Sequence, residues 1–377
     1  MSKHRTVERY ARAETLVVYW RLGQLRARNY LTRIETPLTG ELVDLLEGLA
    51  SWMSAAEVAA TRPSLGSARA VRGLLELLAE RRLVRRESEA ARDPSLGEWT
   101  AWHPEAAFFH FATKNGRYRK NPFTYDAVLA EKAGTHPAPA PTKIVDGRSV
   151  PLPRRAALGA LGRALAARRT WRRFGRAPIA LGALATSLRW TFGVEARAHS
   201  PGQGDVVFKT SPSGGARHPI EAYVVALNVR GLAAGSVHHY DAGRHRLSRL
   251  PARIRRADMP ELLGHQPYFA GAAALVVMAP VFARTMWRYP SSRAYRAVLI
   301  EAGHLCQTFC LVTTALNLAP FSTFAFPEKG WERVLGLDGI RETPVYIAGV
   351  GTRPADHKRA GALEPRWQRL VKRSSHA

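Results

Sequence analysis

Hydrophobic positions recur along the chain in two periods, and the change between them divides it. From Thr39 to Leu78 the period is helical. Leu42, Leu45, Leu46 and Leu49 share one face of a helix that Thr39 can cap. Ser54 with Glu57 makes a capping box opening a second helix, which Pro63 bounds. Ser67 can cap a third, with Val71, Leu74, Leu75 and Leu78 on one face, and Arg81 and Arg82 are expected in its last turn, where cations suit the helix dipole. A candidate strand, Asn29 to Ile34, precedes these helices, and Leu83 and Val84 can begin a short wing. The outline is a winged helix-turn-helix.

Beyond Leu158 helices and strands interleave. Leu158 to Arg168 reads as helix, Ile220 to Val229, Val237 to Tyr240, Arg246 to Leu250 and Ala272 to Pro280 as strands, Arg293 to Leu318 as a long helix, and Pro344 to Val350 as a last strand entering a glycine turn. The early strands pattern as an antiparallel meander, so an α+β sandwich fits better than a doubly wound sheet. Between the two regions lie an aromatic run, Trp99 to Tyr125, whose fold the pattern leaves open, and a Pro-rich stretch over 133–155, expected to be an extended connector. The expected domains are a winged-helix-like module over 1–98, a connector over 99–155 and an α+β domain over 156–377.

Composition narrows the class. Met1 to Glu14 is charged throughout and does not resemble a signal peptide. The longest apolar run, Phe269 to Phe282, is short for a membrane span and contains a proline, so no membrane association is expected. Cys306 and Cys310 are the only cysteines; a cytoplasmic location is expected, and with no paired His at ligand spacing, no metal. The net charge is +26, but residues 1–100 hold 16 Lys/Arg against 13 Asp/Glu, so the excess lies downstream. Such an excess suits phosphates, acidic peptides or nucleic acid.

No GxxxxGK[ST], strand-to-helix GxGxxG, HExxH or GxSxG is present. Three other elements can carry chemistry. Arg168, Arg169, Thr170 and Arg172 follow a helix, where guanidiniums either converge on a phosphate or form a solvated basic face. Pro212, Ser213, Gly214 and Gly215 precede the strand at Ile220, and their backbone can approach a flat ligand closely, with Arg217 beside it; the plainer reading is a tight turn. Trp287-Arg288-Tyr289 then leads into the long helix, where Gly303 suggests close packing of backbone or ligand beside His304.

Taken in order, these elements resemble the nitroreductase-like flavoenzymes, and among them the SagB-type dehydrogenases of peptide maturation. The family's RRSxR-like segment is matched by Arg168, Arg169, Thr170 and Arg172, and its PSxGxxxP segment by Pro212, Ser213, Gly215 and Pro219. Its ExY and pGxYHYdp-H-L patterns are echoed by Glu221, Tyr223, Gly235, His239, Tyr240, Asp241, His245 and Leu247. RaYRxxLxEaGHxxQ is echoed by Arg293, Tyr295, Arg296, Leu299, Glu301, Gly303, His304 and Gln307, and a closing glycine turn by Gly349 and Gly351. The resemblance spans Leu158 to Arg353.

It implies a nitroreductase-like α+β sandwich that binds FMN through the first two segments, at a homodimer interface. Azole-forming relatives place a Lys-Tyr pair where this chain has Arg288-Tyr289. Arginine stays protonated and cannot be the base. Tyr289 can accept a proton only as phenolate, a form that Arg288 or Arg293 favours. The implied activity is oxidation within a ribosomally made precursor peptide, with azolines to azoles as one form. The N-terminal module would hold the leader region, and other peptide-modifying enzymes are further candidate partners. Its near-neutral charge favours peptide over nucleic acid. A small-molecule reductase using NAD(P)H, a non-catalytic subunit of a modifying complex and a DNA-binding regulator are the competing readings.

Overall fold

The computed structural model describes residues 7–92, 97–116, 128, 131–135, 140, 158–200, 204–266, 269 and 271–356. The chain divides into two units, Met1–Lys114 with Pro290–Ser292, and Asn115–Tyr289 with Arg293–Ala377.

The first unit opens with β1 (Arg9–Arg12), β2 (Leu16–Arg21), β3 (Gln24–Asn29) and β4 (Glu35–Pro37). Then come α1 (Gly40–Gly48), β5 (Met53–Ser54), α2 (Ala55–Thr61), α3 (Ala68–Glu80) and β6 (Val84–Arg86). All three expected caps form: the Thr39 and Ser67 hydroxyls accept from the Leu42 and Ala70 N–H groups, and Ser54 and Glu57 close their reciprocal box. Leu45, Leu46, Val58, Val71, Leu75 and Leu78 form the core with Tyr10 and Leu83. Arg81 is the cap residue of α3 and Arg82 lies beyond it at φ 58°, so neither sits in the last turn. The single strand expected over 29–34 is instead a turn. Asn29 ends β3, and its side-chain carbonyl accepts from the Leu31 and Thr32 N–H groups, reversing the chain into β4. Strand β6 pairs antiparallel with β1, whose other neighbour is β5.

The part of the aromatic run from Trp99 to Phe111 belongs to this unit. Trp99, Trp102 and Phe111 are buried, the last two flanking or within α4 (Pro104–Thr113). Trp99 stacks on the buried His110 at 4.9 Å, and Tyr30 stacks on Phe111 at 6.0 Å. Tyr118, Phe123, Tyr125 and nearly all of the Pro-rich connector lie outside the described residues.

The second unit contains α5 (Gly159–Ala167), α6 (Leu181–Phe192), β7 (Ala196–Ser200), β8 (Gly204–Phe208), β9 (Ile220–Ala226), β10 (Ser236–Asp241), β11 (Arg246–Arg253) and β12 (Ala274–Pro280). It continues with α7 (Phe282–Arg288), α8 (Ala294–Ala315), β13 (Leu318–Thr323), α9 (Glu328–Leu335) and β14 (Tyr346–Thr352). Six strands make one antiparallel sheet in the order β11-β10-β9-β12-β14-β13, and β7 and β8 form a separate hairpin. The meander β9-β10-β11 is as expected. All seven residues of β12 are buried, because it is central and covered on both faces. Helix α8 packs on β13, β14, α5 and α6. By length and composition α8 could cross a membrane, but here Val298, Ala302, Leu305 and Phe309 are core residues. Trp331, Phe326 and Met259 pack with inner residues of the sheet in a core cluster.

Two glycine expectations are corrected. Gly349 and Gly351 lie within β14, not in a turn. A Cβ at Gly349 would collide with the Phe321 ring, and one at Gly351 would lie 2.6 Å from the Phe174 ring. Both glycines make room for aromatic rings against the sheet. Among the described residues nothing from the neighbouring elements lies within 4 Å of a Cβ at Gly303, and His304 is exposed beside it, so no described backbone packs there.

Candidate functional site

The segment joining β8 to β9 carries the strongest local constraint. Gly214–Ala216 make one 3-10 turn, and Gly215, Ala216 and His218 all have positive φ, at 59°, 53° and 43°. For a residue with a side chain this conformation costs about 1–2 kcal/mol, so surrounding bonds must impose it. Ser213 Oγ accepts from the His218 N–H at 2.9 Å, and Arg284 Nη1 donates to the His218 carbonyl at 2.9 Å. Ser213 is also hydrogen-bonded to Glu301, and Ser211 Oγ meets Thr308 Oγ1 at 2.8 Å, so two hydroxyls tie the loop to α8. Burial pushes the Glu301 carboxyl up to about 7, against the opposing effects of the Ser213 bond and the Lys209 and Arg284 charges. Burial, with Lys209 nearby, pushes His218 down to about 4. Between those values neither group is charged, so their 3.9 Å approach is not an ion pair there.

Arg288 and Tyr289, at the end of α7, come to this loop. A Cβ at Gly215 would lie 2.8 Å from Tyr289 Oη and 3.1 Å from Arg288 Nε, so only glycine permits the approach. The Arg288 guanidinium lies 5.7 Å from the Tyr289 ring centre, and that of Arg217 lies 5.2 Å from the Trp287 ring centre. The chain thus assembles Ser213, Gly214, Gly215, Arg217, Arg288 and Tyr289 in one place. Pro212 lies in the same loop, N-terminal to Ser213.

The arginine segment sits elsewhere on α8. Trp171 is buried; its N–H donates to the Pro320 carbonyl at 2.9 Å, and Arg353 lies 5.5 Å over its ring. Arg169 Nη1 donates to the Ala166 and Arg168 carbonyls, capping the end of α5. Arg168, Thr170 and Arg172 are half-buried, and Arg168 acts electrostatically on Cys310 of α8. The loop contacts α8 at Glu301 and Thr308, and Cys310 lies about 3 Å of helix rise beyond Thr308. Guanidiniums held on a segment anchored by Trp171 are a donor set that fits a phosphate monoester.

Beside the loop is a charged cluster that spacing along the chain did not reveal. Glu221 Oε2 lies 2.7 Å from His239 Nε2, and Glu221 Oε1 lies 2.6 Å from Arg284. Burial would raise Glu221, but the His239 bond and Arg284 outweigh it and hold the carboxyl at about 2. Tyr223 Oη donates to Glu342 at 3.2 Å. Lys209 also faces this region. Glu221, Tyr223, His239 and Glu301 match family motifs, but nothing in their sequence spacing shows that they gather here.

A nitroreductase-family profile matches residues 165–352, the segment holding the six-stranded sheet, the loop and α8. The chain is also 30% identical over 192 residues to the putative nitroreductase MJ1384 of Methanocaldococcus jannaschii, covering 49% of this chain and 86% of that protein. The chain belongs to the nitroreductase family. Another relative within reach of this nitroreductase-family chain is the trifolitoxin-processing protein TfxB of Rhizobium leguminosarum bv. trifolii. It is 35% identical over 148 residues, 37% of this chain and 38% of that protein, so well under half of TfxB is matched. Among solved structures, a chain of the E. coli microcin synthetase McbBCD complex with truncated pro-MccB17 bound aligns at a TM-score of 0.50 and 19% identity, over 70% of this chain and 98% of that one. That likeness bears on the fold of this nitroreductase-family protein.

Proposed function

We propose that this nitroreductase-family protein is an FMN-dependent, SagB-type dehydrogenase in the maturation of a ribosomally made peptide. The observation that carries this reading is the 35% identity with a trifolitoxin-processing protein. Arg168, Arg172 and the amides around Thr170 would hold the FMN phosphate, and the Ser213–Gly215 backbone would lie along the ring system. When bound, the flavin supplies the two-electron acceptor. An azoline that loses a hydride and a proton becomes an aromatic azole. Tyr289 is the candidate proton acceptor, and the Arg288 guanidinium lies 5.7 Å from its ring centre. The strained loop gives the site a fixed geometry before substrate arrives. Gly349 and Gly351 act at a distance, by letting Phe321 and Phe174 pack under the sheet.

The N-terminal unit is read as a winged-helix module that docks the leader region of the precursor, in the cytoplasm. A ligand reaching from the loop to the arginine segment is elongated or lies where two copies meet. Exposed Leu161, Leu165, Trp190 and Ile300 supply apolar surface for a second copy. Absorption of the purified protein tests the cofactor: flavin bands, with FMN released on denaturation, support the reading, and a colourless protein overturns it. Sedimentation tests the dimer, with a monomer at micromolar concentration as the contrary result. If NAD(P)H reduces the bound flavin and small nitro compounds reoxidise it, the small-molecule reductase reading replaces this one.

A further inference from the structure

A cavity of about 650 Å³ opens among β8, β9, β10 and α7, bordering the candidate loop at Ala216, Arg217 and His218. Its charges are unevenly satisfied. Each carboxylate on its wall is engaged already: Glu221 by His239 and Arg284, Asp241 by Arg244, Glu342 by Tyr223, and the exposed Asp205 by His199. The cations Arg197, Lys209 and Arg217 face the same space, and none of them forms an ion pair with a described carboxylate. Arg197 lies over Gly243, and Arg217 donates to the Gly215 carbonyl while stacking on Trp287. Lys209 is half-buried, with Glu221 and Glu301 attracting it from beyond contact distance; burial and Arg284 push its ammonium down despite them. An ammonium withdrawn from water with no close acid is poorly solvated, and an entering anion restores what burial removed.

We infer that this cavity is a subsite for a carboxylate of the peptide substrate, recognised by Lys209 and Arg197, with Arg217 and Trp287 at its rim. The inference rests on the dehydrogenase reading for the identity of the ligand. The cavity shares Arg217 and His218 with the loop, so an acidic residue seated here would belong to the molecule presented to Tyr289. Trp287 is 61% exposed and offers a flat apolar surface beside the cations, which suits the main chain and side-chain stem flanking that residue. The substrate class is therefore a peptide with Asp or Glu close to the residue that is oxidised.

Calorimetric titration of the full chain tests this with acetyl-tetraglutamate amide, its tetraglutamine counterpart and inorganic phosphate. The glutamate peptide is expected to bind about tenfold tighter than the glutamine peptide, as one charge-assisted hydrogen bond at a half-buried site supplies. Lys209→Met and Arg197→Gln should each remove most of that preference. Arg197 lies on an exposed hairpin, so its variant reads the site even if Lys209→Met is poorly folded. Arg81→Gln, in the N-terminal unit, should leave the preference intact, which separates the subsite from general attraction to a basic protein. Equal binding of the two peptides, or unchanged preference in both cavity variants, overturns the inference. Phosphate that competes as strongly as the glutamate peptide overturns the assignment to peptide carboxylate. Flavin content is read in the same samples. A yellow wild type that fails to discriminate the peptides sinks only the subsite, and a colourless one that discriminates sinks the dehydrogenase reading while the cavity's anion preference stands.

Discussion

Glu301→Gln probes the bond that ties the strained loop to α8. Glu301 is 5% exposed, and its carboxyl stands at about 7 against an ordinary 4.5. Such a difference corresponds to about 3 kcal/mol of stability. Between those two values the native protein binds more protons than the unfolded chain, so stability falls as pH rises. The contribution is fully present below 4.5 and lost by the time pH has passed about 7. Glutamine keeps a group that can bond Ser213 but does not ionise. Comparing the two proteins cancels other titrations, including that of His218, which runs in the opposite direction between its depressed value and its ordinary one. From pH 5 to pH 8 the wild type should lose about 2.5 kcal/mol relative to the variant. At roughly 2–4 °C per kcal/mol for a unit of this size, its melting temperature should fall about 5–10 °C further than the variant's. Thermal unfolding followed by circular dichroism across that range is the assay. Parallel curves would refute the claim that a neutral carboxyl anchors the loop.

Three other outcomes follow from the same geometry. Gly351→Ala places a methyl group 2.6 Å from the Phe174 ring and should cost about 1–3 kcal/mol by overpacking, read as a lower denaturant midpoint; an unmoved midpoint would contradict the strand placement. Arg172→Ala and Ser213→Trp should each lower the flavin that copurifies with the protein, and full occupancy in both would remove these segments from the cofactor site. Tyr289→Phe should leave flavin bound and slow peptide oxidation about 10²–10⁴-fold, the usual range for losing a positioned base; equal turnover would exclude the phenol from proton transfer.

Local signals in the sequence proved readable. The caps at Thr39, Ser54 and Ser67 involve residues three apart, and each formed. Strands β9 and β12 and helix α8 carry long apolar patterns because they are buried on several sides. Strands β2 and β3 escaped notice because the exposed positions Val18 and Trp20 of β2 are apolar, and Arg26 and Arg28 leave β3 few apolar residues, so neither shows an apolar–polar alternation in sequence. Strand β13 begins so soon after α8 that its Leu318 read as the helix's end. The N-terminal end of α6 has no side-chain cap at Ala180 to announce it. At the site, the contact of Gly215 with Tyr289 joins two motifs that the sequence presented separately. The Glu221–His239–Arg284 cluster depends on sheet pairing and on α7, and no linear spacing encodes it. Gly349 and Gly351 misled because a glycine that accommodates an aromatic ring in a strand looks, in sequence, like one that makes a turn.

In the proposed reaction electrons pass from a peptide to a flavin held by this chain. Anaerobic mixing of the purified protein with a synthetic peptide bearing a single thiazoline beside a glutamate tests that directly. The flavin absorbance should bleach as the peptide loses two hydrogens, seen by mass spectrometry. A flavin that stays oxidised with the peptide mass unchanged, yet bleaches on addition of NADPH, would contradict it.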